Sequence, residues 1–259
     1  MMAIGLMIAS PAVAGEGSWT KLNTVGVGPQ NRSVPSAGAV DGIIYVFGGV
    51  EDDFNEITNT FYNDIHRFNP DTSTWTELHP GGPLPSHRAF AATTSRKHAG
   101  ELVIYGGSFY DPTFTEFEVF GDLWVYSVDE NDWTEIQAAN EGPGERNGAN
   151  IWADKDKLYL FGGLTPFFLP ANDLWEYDFG TNRWTELIPM FSPGSPVGRD
   201  VAYAGAAPKR GELTIYGGET LDFNTFEFVT LQDVWQLDLD TLTWEEVTPS
   251  PNKDIDIHG

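Results

Sequence analysis

Four arginines occupy one repeated place in this chain. Arg32, Arg88, Arg146 and Arg199 follow Trp19, Trp75, Trp133 and Trp184 by 13, 13, 13 and 15 residues. Only 14 residues of the 259 are Lys or Arg, so four at one position is a concentration of cationic hydrogen-bond donors. Two uses follow from guanidinium chemistry. The arginines form a positive ring for an anionic ligand, or they pair with carboxylates of the Asp64, Glu51 or Glu219 type. Glu51 and Glu219 stand at the start of two long acidic connections. They complete the candidate ligand-binding set Arg32, Arg88, Arg146, Arg199, Glu51 and Glu219.

Other chemistry finds little support. There is no cysteine, which removes disulfides, thiolate metal sites and a thiol nucleophile. The sequence holds no Gly-x-Ser-x-Gly elbow, no Gly-x-x-x-x-Gly-Lys phosphate loop and no His-Glu-x-x-His. The histidines, His66, His79, His87, His98 and His258, are scattered without metal-ligand spacing. The acidic runs Glu51–Asp53 and Asp129–Asp132 lack the spacing of a calcium loop. No catalytic residue, metal or cofactor is therefore expected.

The elements that must carry these residues repeat four times. Gly48-Gly49, Gly106-Gly107, Gly162-Gly163 and Gly217-Gly218 each close an apolar run such as Ile43–Phe47 or Leu102–Tyr105. Units beginning at Asp64, Asp122, Asp173 and Asp233 follow. A tryptophan (Trp75, Trp133, Trp184, Trp244) comes eleven residues after each of those aspartates. A ruler this constant marks structural repeats. No long stretch has helical apolar spacing, so the chain reads as all-β.

This pattern resembles the kelch family over roughly residues 19 to 247. The resemblance implies that each repeat folds as one four-stranded blade, strands a to d, of a β-propeller. Small residues after each arginine (Ser36–Ala39, Ala89–Ala92) suit the crowded innermost strand a. The continuous apolar strand b suits burial on both faces, and the tryptophans suit packing between blades. Trp19–Leu22 matches the last strand of a blade whose other strands are absent, giving four complete blades plus an extra N-terminal d strand. Either the chain is part of a ring of five to seven blades or four blades close by themselves.

The b–c connections are long. From the second glycine to the aspartate is 15 residues in repeats one, two and four but 10 in repeat three. Phenylalanines alternate there with Thr, Asn and Glu, as in Phe223-Asn-Thr-Phe-Glu-Phe228, which predicts an added hairpin. Such loops are where a rigid scaffold carries its binding groups.

Net charge is −24, which opposes nucleic acid and anionic membranes. It suits a solvated surface, or an acidic surface for cations or basic partners. Residues 1–14, apolar and ending Ala12-Val13-Ala14, read as a signal peptide cleaved after Ala14, leaving 15–259 as one exported, periplasmic or secreted domain. The segment is too short to span a bilayer. The expected function is a non-catalytic module recognising a protein or glycan. The alternative, implied by resemblance alone, is a sugar-modifying enzyme like the exported kelch sialic-acid epimerases. There an arginine would orient the sugar carboxylate, with Glu51 or Glu219 moving protons. A copper oxidase of the galactose oxidase type would need a cysteine. The Glu-x3-Asp-x3-His run of plant specifier proteins is absent.

Overall fold

The computed structural model describes residues 20–53, 57–113, 115–207 and 211–248. The four repeats form four antiparallel sheets, each in strand order a-b-c-d. Blade one is Ser36–Val40, Ile43–Phe47, Ile65–Asn69 and Thr74–Leu78. Blade two is Ala92–Arg96, Glu101–Tyr105, Leu123–Ser127 and Asp132–Ile136. Blade three is Asn150–Asp154, Lys157–Phe161, Leu174–Asp178 and Arg183–Ile188. Blade four is Tyr203–Ala207, Glu212–Tyr216, Val234–Asp238 and Thr243–Glu246. Among the described residues the only helical element is the 3-10 turn Lys97–Ala99. No helix of these residues is long and apolar enough to cross a membrane.

The core lies between blades. In blade two, strand b sends Leu102 and Ile104 toward Tyr45 and Phe47 of blade one. Its alternate residues Val103 and Tyr105 face Ile151 and Leu160 of blade three. Both faces are buried, so the strand is apolar without alternation. The recurrent tryptophan of strand d reaches the preceding blade. Trp133 packs on Phe47 at 4.9 Å between ring centroids, Trp184 on Tyr105 at 5.6 Å and Trp244 on Phe161 at 5.0 Å.

The added hairpins are present where loop length called for them. They pair Val50–Asp53 with Thr58–Phe61, Ser108–Tyr110 with Phe117–Val119, and Glu219–Asp222 with Glu227–Thr230. The shorter connection of blade three makes only a bridge between Leu164 and Pro170.

The expected strand at Trp19–Leu22 differs from what is found. Trp19, like the signal-peptide segment 1–14, lies outside the described residues, and residues 20–24 carry no strand. A lone d strand has no a, b or c partner to supply its hydrogen bonds. Instead Val25–Gly26 pairs in parallel with Thr74–Trp75 at the outer edge of blade one. Gly28 sits against the Trp75 indole, where a Cβ would come within 3.2 Å of the ring. The later d–a linkers run similarly along the next blade. Ala139 N–H donates to Asn182 C=O at 2.8 Å, and Asn140 exchanges two hydrogen bonds of 2.9 Å with the Trp184 backbone. Linkers thus cover outer edges that would otherwise offer open pairing groups.

Candidate functional site

Each arginine lies at the entry to strand a, and Arg88, Arg146 and Arg199 each join two blades. Their backbone belongs to the joint with the preceding blade. Gly49 N–H donates to Arg88 C=O at 2.8 Å while Arg88 N–H donates to Tyr62 C=O at 3.1 Å. The same exchange links Arg146 to Gly107 and Phe120, and Arg199 to Gly163 and Ala171. The glycine pairs are needed for this approach. Gly106 has φ +65°, and a Cβ there would lie 2.3 Å from Arg146 C=O.

The arginine side chain turns into its own blade. Arg88 donates to both oxygens of Asp122 at 2.5 and 2.8 Å and to Gly106 C=O at 3.0 Å. Arg199 does the same with Asp233 and Gly217 C=O, and Arg32 with Asp64 and Gly48 C=O. Arg146 reaches a single oxygen of Asp173 at 2.8 Å. The aspartate is shared with the residue two places on. Trp124, Trp175 and Trp235 donate their indole N–H at 2.7 to 2.8 Å, and His66 Nε2 fills that place beside Asp64.

Burial completes the picture, since Arg88 is 1% and Arg199 0% exposed. Of the two partner classes open to the arginines, the structure pairs them with the Asp64-type residues rather than with Glu51 or Glu219. Burial alone would raise the Asp64 carboxyl, but hydrogen bonds from Arg32 and His66 outweigh it and hold the group below its usual range. Asp233 is likewise lowered by Arg199 and Trp235 against its burial. The Asp64-type carboxylates named from the sequence are thus the partners, and the Asp-apolar-Trp spacing of the later repeats brings an indole to share each of them.

The two glutamates stand apart. Glu51 accepts a hydrogen bond of 2.9 Å from Tyr62, whose ring lies 4.0 Å below the Arg32 guanidinium. Glu219 exchanges backbone hydrogen bonds with Asp200. Asp200 is 6% exposed, and one of its oxygens has no hydrogen-bond partner. Burial first and the Glu219 charge second push its carboxyl up to about 7.

Beside these joints lies the axial mouth, a cavity of about 580 Å³ where the strand a entries of all four blades converge. Backbone hydrogen bonds run around it from Phe90 to Val34, Gly148 to Phe90 and Val201 to Gly148. These residues are left-handed, with φ of 45° at Val34 and 44° at Val201, a strained geometry for a β-branched residue that the bonds must hold. The lining offers Ser36, Thr93, Asn150 and Tyr203 as polar groups and no carboxylate, imidazole or ammonium. Among the described residues no three His, Asp or Glu side chains gather as a metal site.

The hairpins form a wall above this mouth. Phe61 of the first packs on Phe109 and Tyr110 of the second, and Phe117 of the second stacks on Phe168 of blade three. The wall's outer aromatics are uncovered. Phe167 is 90% exposed and Phe226 76%, with Ile57, Phe168, Phe223 and Phe228 also open to solvent.

A family model described as the KLHDC2/KLHL20/DRC7 Kelch-repeats domain matches residues 13–163 and 55–258. Kelch domain-containing protein 10 of Homo sapiens is 25% identical over 222 residues, 82% of this chain and 47% of that protein. Kelch domain-containing protein 3 of Homo sapiens is 33% identical over 156 residues, covering 58% of this chain and 38% of the other. The Leucine-zipper-like transcriptional regulator 1 homolog of Drosophila melanogaster is 25% identical over 242 residues, covering 92% and 23%. The chain spans less than half the length of each of these relatives. A solved structure titled "Structure of YjhT" aligns with a TM-score of 0.64 at 21% identity, covering 83% of this chain and 70% of that one. That likeness is one of fold.

Proposed function

The chain belongs to the kelch-repeat family, and from that premise we propose that it is a non-catalytic protein-binding module that works through its b–c and d–a face. One observation carries the reading. Phe167, Phe223 and Phe226 of the b–c connections stand open to solvent. Exposed apolar groups carried on one face of a rigid scaffold are what a protein partner buries. The mouth beneath has no acid–base pair, and the arginines are engaged with aspartates, so binding accounts for the face better than sugar chemistry does. Phenylalanine also lacks the polar edge with which tyrosine or tryptophan meets a glycan hydroxyl. We extend the proposal to an exported chain, on the apolar segment ending in Ala12-Val13-Ala14; amino-terminal sequencing of the mature protein tests it.

The binding reading is tested with the protein as bait against extract of its source cells, beside a Phe167→Ser/Phe226→Ser variant. Recovery of a protein by the wild type and its loss from an equally stable variant is the expected result. Equal recovery by both, or glycan-array binding without any protein partner, would overturn it.

A further inference from the structure

We propose that the cleft between the first two hairpins receives a lysine or arginine side chain of the partner, whose neighbouring apolar residues lie along the phenylalanine wall. The proposal rests on the protein-binding reading above and adds the chemistry of what is bound. The cleft, about 240 Å³, is bordered by Asp52, Asp53, Ile57, Asn59, Tyr110 and Pro112. Its two sides come from different blades and are tied together. Asn59 donates to Tyr110 C=O at 3.1 Å, Tyr110 Oη donates to Asp52 at 3.3 Å, and the Tyr110 ring meets Phe61 edge-on at 4.8 Å. It is thus held open with its shape set before any partner arrives, which lowers the entropy lost on binding.

The walls match one kind of side chain. Ile57, two-thirds exposed, and Pro112 supply apolar surface for a methylene stem. Asp52 supplies an anionic end, since its bond from Tyr110 leaves carboxylate lone pairs for a second donor. The surrounding charge agrees. The four b–c connections, residues 50–62, 108–120, 164–170 and 219–231, contain no Lys or Arg, while three of them carry Asp and Glu. A cationic segment is therefore drawn to the hairpin face.

The test uses short fluorescein-labelled peptides that share phenylalanine and leucine residues and differ only in carrying Arg, Gln or Glu at the polar positions. Fluorescence anisotropy is measured with the whole chain, with Asp52→Asn and with Phe167→Ser/Phe226→Ser. The Arg peptide is expected to bind most tightly, to weaken with added salt, and to lose roughly tenfold on Asp52→Asn with the melting temperature unchanged. If the Gln or Glu peptide binds as tightly as the Arg peptide and the phenylalanine variant weakens it, the cationic cleft is wrong while the docking face stands. If no peptide responds to either variant, both fall.

Discussion

Trp244 of blade four lies on Phe161 of blade three at 5.0 Å, whereas Tyr216, the residue of blade four equivalent to Phe161, is 44% exposed and carries no indole from the described residues. Phe47 and Tyr105 each form a socket for the tryptophan of the following blade, as Phe161 does, and no described residue fills the equivalent socket at Tyr216. Among the described residues it stacks on Tyr203 of its own blade, at 6.3 Å. The two positions should answer differently to truncation. Phe161→Ala is expected to cost about 3–5 kcal/mol, as aromatic core truncations do. Tyr216→Ala should cost less than ~1 kcal/mol. Urea midpoints of the two variants decide, and equal losses would mean the socket is filled in solution.

The arginine joints predict stability effects rather than loss of ligand. Asp122→Asn leaves Arg88, which is buried, without a countercharge, and should cost about 3–5 kcal/mol. Arg88→Gln should be similarly harmful. A variant of either kind that melts normally but fails to bind a partner would return the arginines to a ligand-binding role.

Acid stability follows from Asp64 and Asp233. Both are depressed in the folded chain, so their contribution is complete above the unfolded carboxylate value near ~4 and is lost as pH falls through the lower folded value. Melting temperature should drop on acidification only below about pH 4, and Asp64→Asn should flatten that drop.

Asp200 has the opposite sign. Its carboxyl is raised to about 7, so the folded state holds a proton that the unfolded chain releases near ~4. Stability from this group is greatest in acid and declines as pH rises toward 7, by of the order of 1 kcal/mol per pH unit at most. Asp200→Asn should raise the melting temperature at pH 8 and leave it little changed at pH 4. A larger gain at pH 4 would refute the assignment.

The glycine pairs give a sharp contrast. Gly106 and Gly211 have nearly the same φ, +65° and +67°, but only Gly106 has a backbone carbonyl where its Cβ would stand. Gly211→Ala should cost about 1–2 kcal/mol, from the left-handed torsion alone. Gly106→Ala should cost clearly more, because Arg146 C=O must move and with it the joint to blade three. Thermal melts of the two variants make the comparison.

What the amino-acid order determined by itself was local and periodic. The spacing of Gly pairs, aspartates and tryptophans placed strands b, c and d of the four blades, although strand a of blade two begins at Ala92, three residues past the expected Ala89. Loop length alone separated the hairpin-bearing connections from that of blade three. Such features depend on neighbours within a dozen residues, where alternation, turn chemistry and chain length act directly. Only the tertiary structure decided which carboxylate each arginine meets, because Arg88 and Asp122 are 34 residues apart and several acids compete at that range. It alone showed the linkers lying along neighbouring edges, Asp200 buried beside Glu219, and the first two hairpins enclosing a cleft. These depend on how the blades stack, and stacking sums many weak contacts between distant segments that no local spacing records.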